Sequence, residues 1–389
     1  MNIKLILSAV MVCLASLALS ACKIDVDWER SVSAKENDEQ RVEWLKDMQS
    51  LANGNVLVAV ETIVVGANRS VDVLLLELDT QGDTVWSNVF DLGENENIAQ
   101  LLIAGEKAYL LVNTPNGKTR LLAINKQGQK RWVYSYQDGS ARSMQIIADK
   151  IYVTGKRTQV LNTQGVLLVD IHQSEQTWSI EVGLLGDFYV AGAKGINAYD
   201  VDGNQLWYLA NAEKGLNQQL DLSWQAGALY LAISEMQGGK AWLKKINIFQ
   251  GIVEWQRVIG LPSTSNNLLT GPVLLKAPET AHIVLVQSYG KGRQLTQFDS
   301  RGRIQWQAEQ DSSFVRDVAI NDNGELLVTG NATTEQFDLQ GDRLVWAKLS
   351  GAAQSTTGEV EVSGDSIYVG TSVYRGGKIQ AVVAHYTDQ

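Results

Sequence analysis

The feature that most constrains this 389-residue chain is a turn that returns at nearly regular spacing. A strand-like apolar run ends in Asp or Asn, a Gly follows, and in most copies a Trp stands four residues beyond the Gly. The regular copies are Asp79–Gly82 with Trp86, Asn125–Gly128 with Trp132, Asp200–Gly203 with Trp207, and Asp299–Gly302 with Trp306. Asn247–Gly251 with Trp255 carries one extra residue before the Gly, and Asp338–Gly341 with Trp346 reads as carrying one extra after it. Asn162–Gly165 is a degenerate copy with Val169 in the Trp place. From Gly82 to Gly341 the mean spacing is about 43 residues, the length of one four-stranded propeller blade. The turn chemistry explains the residue types: Asp or Asn accepts from backbone two residues on, and Gly supplies positive φ, so the segment closes a tight hairpin. The Trp then starts the outermost strand, placed to wedge against a neighbouring blade. Recurrence in register favours that packing role over a sugar-stacking surface.

A second repeat lies upstream of the first. Short Gly, Asn or Asp turns, such as those around Asn53-Gly54, Gly105, Asp149, Gly186, Gly227, Gly324 and Gly364, each precede an apolar strand. These read as hairpins between the two inner strands of each blade. In the sixth unit a longer segment around Pro278 replaces the turn. That makes eight units, one more than the Gly-Trp motifs supply. The expected fold is all-β, one eight-bladed propeller over residues 28–389. Its last unit runs out at the C-terminus, and Trp28–Val32 is the candidate for the missing outer strand. Such closure removes a free sheet edge. The alternative is that residues 23–40 form only a tether.

Residues 1–21 read as a removable leader. Lys4 gives a short positive start, and Leu5–Leu19 is apolar or small apart from Ser8 and Ser16. That core is shorter than the ~20 residues of a spanning helix and ends in small side chains, as secretory signals do. Leu19-Ser20-Ala21-Cys22 resembles the lipobox of bacterial lipoproteins, in which the Cys thiol takes a diacylglyceryl group before cleavage. Residues 22–27 are then a lipidated N-terminus and short tether. Cys13 leaves with the leader and lipid consumes Cys22, so the folded part has no disulfide and no thiolate metal site. The formal net charge is −10, and losing Lys4 makes the remainder one unit more negative. A nucleic-acid partner, which needs a basic footprint, is excluded on that balance.

The Gly-to-Trp turn resembles the quinoprotein-dehydrogenase-like (PQQ-like) propeller repeats, and the resemblance covers nearly all of the chain after Cys22. In size, lipobox and eight units the chain also resembles the BamB family, lipoprotein subunits of the outer-membrane β-barrel assembly machinery. That resemblance implies the outer membrane, facing the periplasm, and a non-enzymatic scaffold binding an envelope protein. The quinoprotein enzymes resemble it less, because many stack their quinone on a Cys-Cys disulfide that this chain has no cysteines to form.

No catalytic constellation is legible. His172, His282 and His385 lie in separate units without ligand spacing. Paired carboxylates such as Asp200/Asp202 and Asp338/Asp342 are explained by turn formation. Neither a nucleophile elbow nor a phosphate-binding loop occurs. The expectation is no enzyme, no cofactor and no metal. One pattern remains: the turns between second and third strands carry basic residues, namely Arg69, Lys118, Lys240, Lys291 with Arg293, and Arg375 with Lys378. Strand alternation puts these turns on the face that also carries the blade-to-blade crossings. Arg69, Lys118, Lys240, Lys291, Arg293 and Lys378 are therefore the candidate partner-binding face of a monomeric, membrane-anchored propeller. Good soluble turn chemistry is the alternative reason for them. The alternative function is a quinone- or glycan-binding propeller using the central channel.

Overall fold

In the computed structural model each blade is a meander of antiparallel strands, innermost first. The described residues are 22–23, 26–33, 41–65, 70–136, 139–211, 218–225, 227–235, 240–260, 269–276, 282–289, 292–310, 315, 317–330, 333–338, 340–348, 355–375 and 378–387. The leader and the segment around Pro278 lie outside them. Blade 1 is Arg41–Ser50, Val56–Val64, Ser70–Leu78 and Thr84–Phe90. Blades 2–7 repeat this order, with innermost strands Asn97–Ala104, Ser143–Ile147, Thr177–Val182, Gln218–Gln225, Leu269–Lys276 and Asp317–Ile320. Blade 8 has Ser355–Ser363, Ser366–Arg375 and Lys378–Thr387, and its outer strand is Trp28–Val32, as expected. The innermost strands neighbour one another in a circle that closes where Arg41–Ser50 meets Ser355–Ser363.

Burial follows from this stacking. The second strand of blade 1 is buried at every position from Val56 to Thr62, because neighbouring blades cover both its faces. Outer strands such as Gln205–Ala210 are half-buried only at alternate residues. The apolar core accordingly lies in the seams between blades. One cluster joins Leu57, Ala59, Val73 and Leu75 of blade 1 to Leu101, Leu110 and Leu122 of blade 2.

The Gly-Trp motif is the device that locks most of these seams. At Asp79 the side chain accepts from Gln81 and Asp83 backbone nitrogens at 2.9 and 2.8 Å, Gly82 N–H donates back to the Asp79 carbonyl at 3.0 Å, and Gly82 takes φ +81°. A Cβ at Gly82 would lie 2.7 Å from the Trp28 ring, so Gly is required for close approach as well as for φ. The same pairing joins Trp132 to Gly165, Trp207 to Gly251, Trp255 to Gly302 and Trp306 to Gly341, each Trp contacting the turn of the following blade. In the degenerate copy Val169 takes the Trp role against Gly203. The indoles of Trp28, Trp132, Trp207 and Trp255 also donate to the carbonyls of Thr80, Thr163, Ile248 and Ser300 in those turns, at 2.8, 3.2, 2.7 and 3.0 Å.

Two sequence readings change. The seventh copy holds no extra residue: its turn closes like the others, Gly341 N–H to Asp338 carbonyl, and Val345 takes the backbone position that Trp holds elsewhere, opposite Gln336. Cys22–Lys23 is not free tether. It pairs in parallel with the outer strand of blade 7, Cys22 opposite Val345 and Lys23 opposite Trp346.

Candidate functional site

The innermost strand of a blade has no partner inside it, so its edge N–H groups face the channel and need acceptors. Neighbouring blades supply them through side chains. Leu101 N–H donates to Asp47, Met144 N–H to Gln100 at 2.7 Å, and Val182 N–H to Gln145 at 3.1 Å. Further round, Leu222 N–H donates to Ser179 Oγ at 3.2 Å and Val360 N–H to Asp317 at 2.9 Å. Glu361 closes the circle, accepting from Gln49 Nε2 at 3.0 Å and from the Ser50 hydroxyl at 3.3 Å. Among the described residues, these bonds along the channel edge bridge six of the eight seams.

Four of the groups in this channel are carboxyls crowded on blades 7, 8 and 1. Burial, opposed by hydrogen bonds from backbone, pushes Asp47 up to about 7 and Asp317 up to about 6. Burial and the Asp317 charge push Glu361 up to about 8, and Glu359 rises well above the ordinary range for the same reasons. The sequence reading missed this cluster. Its visible signal is acidic residues inside apolar innermost strands, as in Glu359-Val-Glu361-Val362.

On the other side of the channel a cavity of about 430 Å³ opens between blades 2 and 5, lined by Gln100, Gln145, Ser179, Glu181, Asp221 and Ser223 among others. The Ser223 Oγ is buried there without a hydrogen-bond partner. The cavity's polar groups suit a small polar molecule. No three described His, Cys, Asp or Glu side chains converge to hold a metal.

The six candidate basic residues separate. Lys118 sits on the crossing face with its side chain 64% exposed, and its ammonium lies 3.3 Å from Glu94 in the blade 1–2 crossing. Hydrogen bonds from Thr114 and Lys118 hold that carboxyl below its ordinary value. Lys240 is exposed at the start of its strand, and Lys378 is half-buried beside Arg375, which pairs with Glu29 at 2.6 Å. Arg69 and Lys291 lie outside the described residues. Arg293 does not belong to an exposed turn. It is the second residue of the strand Gly292–Phe298, fully buried in the seam between blades 6 and 7, and pairs there with Glu335. Burial lowers the guanidinium's affinity for its proton, and the Glu335 charge and hydrogen bond oppose that shift without cancelling it. An Arg beside a Gly-Lys turn looked solvated in the sequence; strand pairing to Ser288 carries it inward instead.

Comparison with known proteins agrees with this architecture. The profile of the family described as outer membrane protein assembly factor BamB matches residues 26–192 and 269–385. Among solved structures, BamB from Moraxella catarrhalis is 16% identical, covers 92% of this chain and 100% of its own, and superposes with a TM-score of 0.58. The Dos1 propeller gives 0.61 at 10% identity over 95% of this chain and 96% of its own. The Neurospora crassa Pan2 WD40 domain gives 0.53 at 11% identity over 74% of this chain and 89% of its own. At these identities the structural likenesses speak for the fold alone. No curated protein matches the sequence. With the family profile spanning both halves of the ring, the chain belongs to the BamB family of PQQ-like propellers.

Proposed function

We propose that this protein is a lipid-anchored scaffold on the periplasmic side of the outer membrane, acting without catalysis in outer-membrane protein assembly. The observation that carries the reading is membership of a family described as an assembly factor. The channel supports it, because polar side chains there, from Asp47 round to Glu361, are engaged in bridging blade to blade. The crossing face, with Lys118 and Lys240 exposed, is the surface offered to an acidic envelope partner. The test is affinity purification of the lipidated protein from envelopes, followed by mass spectrometry. Outer-membrane assembly proteins should be enriched; their absence beside an enriched unrelated complex would overturn the reading.

The cavity around Ser223 favours a second reading, a receptor for a small quinone or glycan. Extraction of the purified protein would then release that molecule in stoichiometric amount, with no assembly protein retained.

A further inference from the structure

Strand direction fixes which face of the propeller the anchored end leaves from. The outer strand of blade 7, Arg343–Lys348, begins just after the turn closed by Gly341 and runs toward the crossing face. Cys22–Lys23 pairs with it in parallel, so the amino end of Cys22 points back toward the Gly-turn face. On that same face lie the three most exposed large apolar side chains among the described residues. Leu184 and Leu185, in the first hairpin turn of blade 4, are 82% and 90% exposed, and Phe249, in the Gly-turn of blade 5, is 85% exposed. Neither turn needs these residues for its own closure: Gly183 N–H bonds to Asp187 carbonyl, and Asn247 caps the other with its side chain. The two turns are joined through blade 4. The space at Gly186 is filled by Val201, and Trp207 of the same blade donates to the Ile248 carbonyl beside Phe249.

We propose that the Gly-turn face rests on the phospholipid surface, with Leu184, Leu185 and Phe249 dipping into the headgroup boundary while the acyl chains of Cys22 hold the rim at blade 7. The proposal rests on the reading of Cys22 as the lipidated residue. Blades 5 and 4 stand two and three blades round the ring from blade 7, where Cys22 pairs, so anchor and apolar tips fix the face at separated points. Leu and Phe gain from leaving water at an interface without crossing it. The exposed Asp149 and Asp202 around the tips suit the ammonium of ethanolamine headgroups rather than anionic lipid. Docked this way, the propeller turns its crossing face into the periplasm.

Processing and acylation leave no free thiol in the mature chain, so single cysteines report position cleanly. Leu185→Cys, Phe249→Cys and, on the crossing face, Tyr374→Cys, which replaces a 59% exposed side chain, are each purified as the lipidated protein and labelled with a nitroxide. They are reconstituted in phosphatidylcholine–phosphatidylethanolamine vesicles. Power saturation with oxygen and with a water-soluble nickel chelate should give bilayer-type accessibility at residues 185 and 249 and aqueous accessibility at 374. Aqueous accessibility at all three overturns the proposal. So does dipolar broadening between copies at residue 185, which means a second copy covers the tips. Protection that appears in whole envelopes but not in vesicles also overturns it, since a protein then covers them. Mass analysis of the N-terminal peptide separates these failures from failure of the anchor: an unacylated Cys22 would itself take the label, and both the anchor and the docking would fall.

Discussion

Trp28 closes the ring on Gly82. Its indole fills the space a side chain at Gly82 would need and donates to the Thr80 carbonyl at 2.8 Å, so the N-terminal strand makes the close approach to a turn glycine that Trp86, Trp132, Trp207, Trp255 and Trp306 make at other seams. Trp28 also stacks on His385 at 5.7 Å between ring centroids, tying the new strand to the C-terminal one. Trp28→Ala removes a large side chain from this seam and should cost about 3–5 kcal/mol in urea unfolding, as large-to-small changes in cores do. Gly82→Ala should destabilise too, because its φ of +81° and the Trp28 ring both oppose a Cβ. A change within error for both variants would mean the N-terminal strand adds nothing to the fold.

Stability should fall as pH rises through neutrality. Asp317, Asp47 and Glu361 are pushed up to about 6, 7 and 8 in the folded protein, against roughly 4 in an unfolded chain. A raised carboxyl contributes stability that is complete below its unfolded value and is lost as pH climbs through its folded one. Burial lowers His385, whose contribution is instead lost as pH falls below its unfolded value of about 6.5. The melting temperature should therefore decline from pH 6.5 to 8.5, where His385 stays neutral. Glu361→Gln, which keeps an acceptor for Gln49, should flatten that decline. A flat profile in the parent protein would contradict the carboxyl cluster.

The periodicity of the blades was plainly legible in the sequence, because the contact between a turn glycine and a residue of the preceding blade recurs at most seams and Trp makes it at all but one of these. Even Val169 kept its place in the pattern. Val345 and Trp346 misled it: a Trp one position late looks like an insertion, and only the strand pairing shows that the turn is unchanged. Arg293 and the channel carboxyls were hidden for one physical cause. Whether a polar side chain at a strand end meets water or the next blade depends on a neighbour some forty residues away, such as Glu335.

Arg293 and the exposed basic residues should separate by experiment. Arg293→Met leaves Glu335 buried beside only the more distant guanidinium of Arg343, 3.7 Å away. Breaking a buried pair from one side typically costs about 3–5 kcal/mol, so this variant should melt well below the parent. Replacing Lys118 and Lys240 by Glu should leave the melting temperature within a degree or two. The reverse ranking would return Arg293 to the surface.

Cys22→Ser should leave either unprocessed precursor or protein released from the membrane fraction by washing. Mass analysis of the N-terminal peptide is the check. A processed, acylated product from this variant would contradict the assignment of Cys22.

A membrane-held propeller should present its crossing face to an assembly partner. Quantitative co-purification from envelopes compares the parent with a variant carrying Lys118→Glu, Lys240→Glu and Lys378→Glu. Outer-membrane assembly proteins should follow the parent, their capture should weaken as salt rises, and the triple variant, folded and still anchored, should lose most of them. Equal recovery with parent and variant at low and high salt would contradict it.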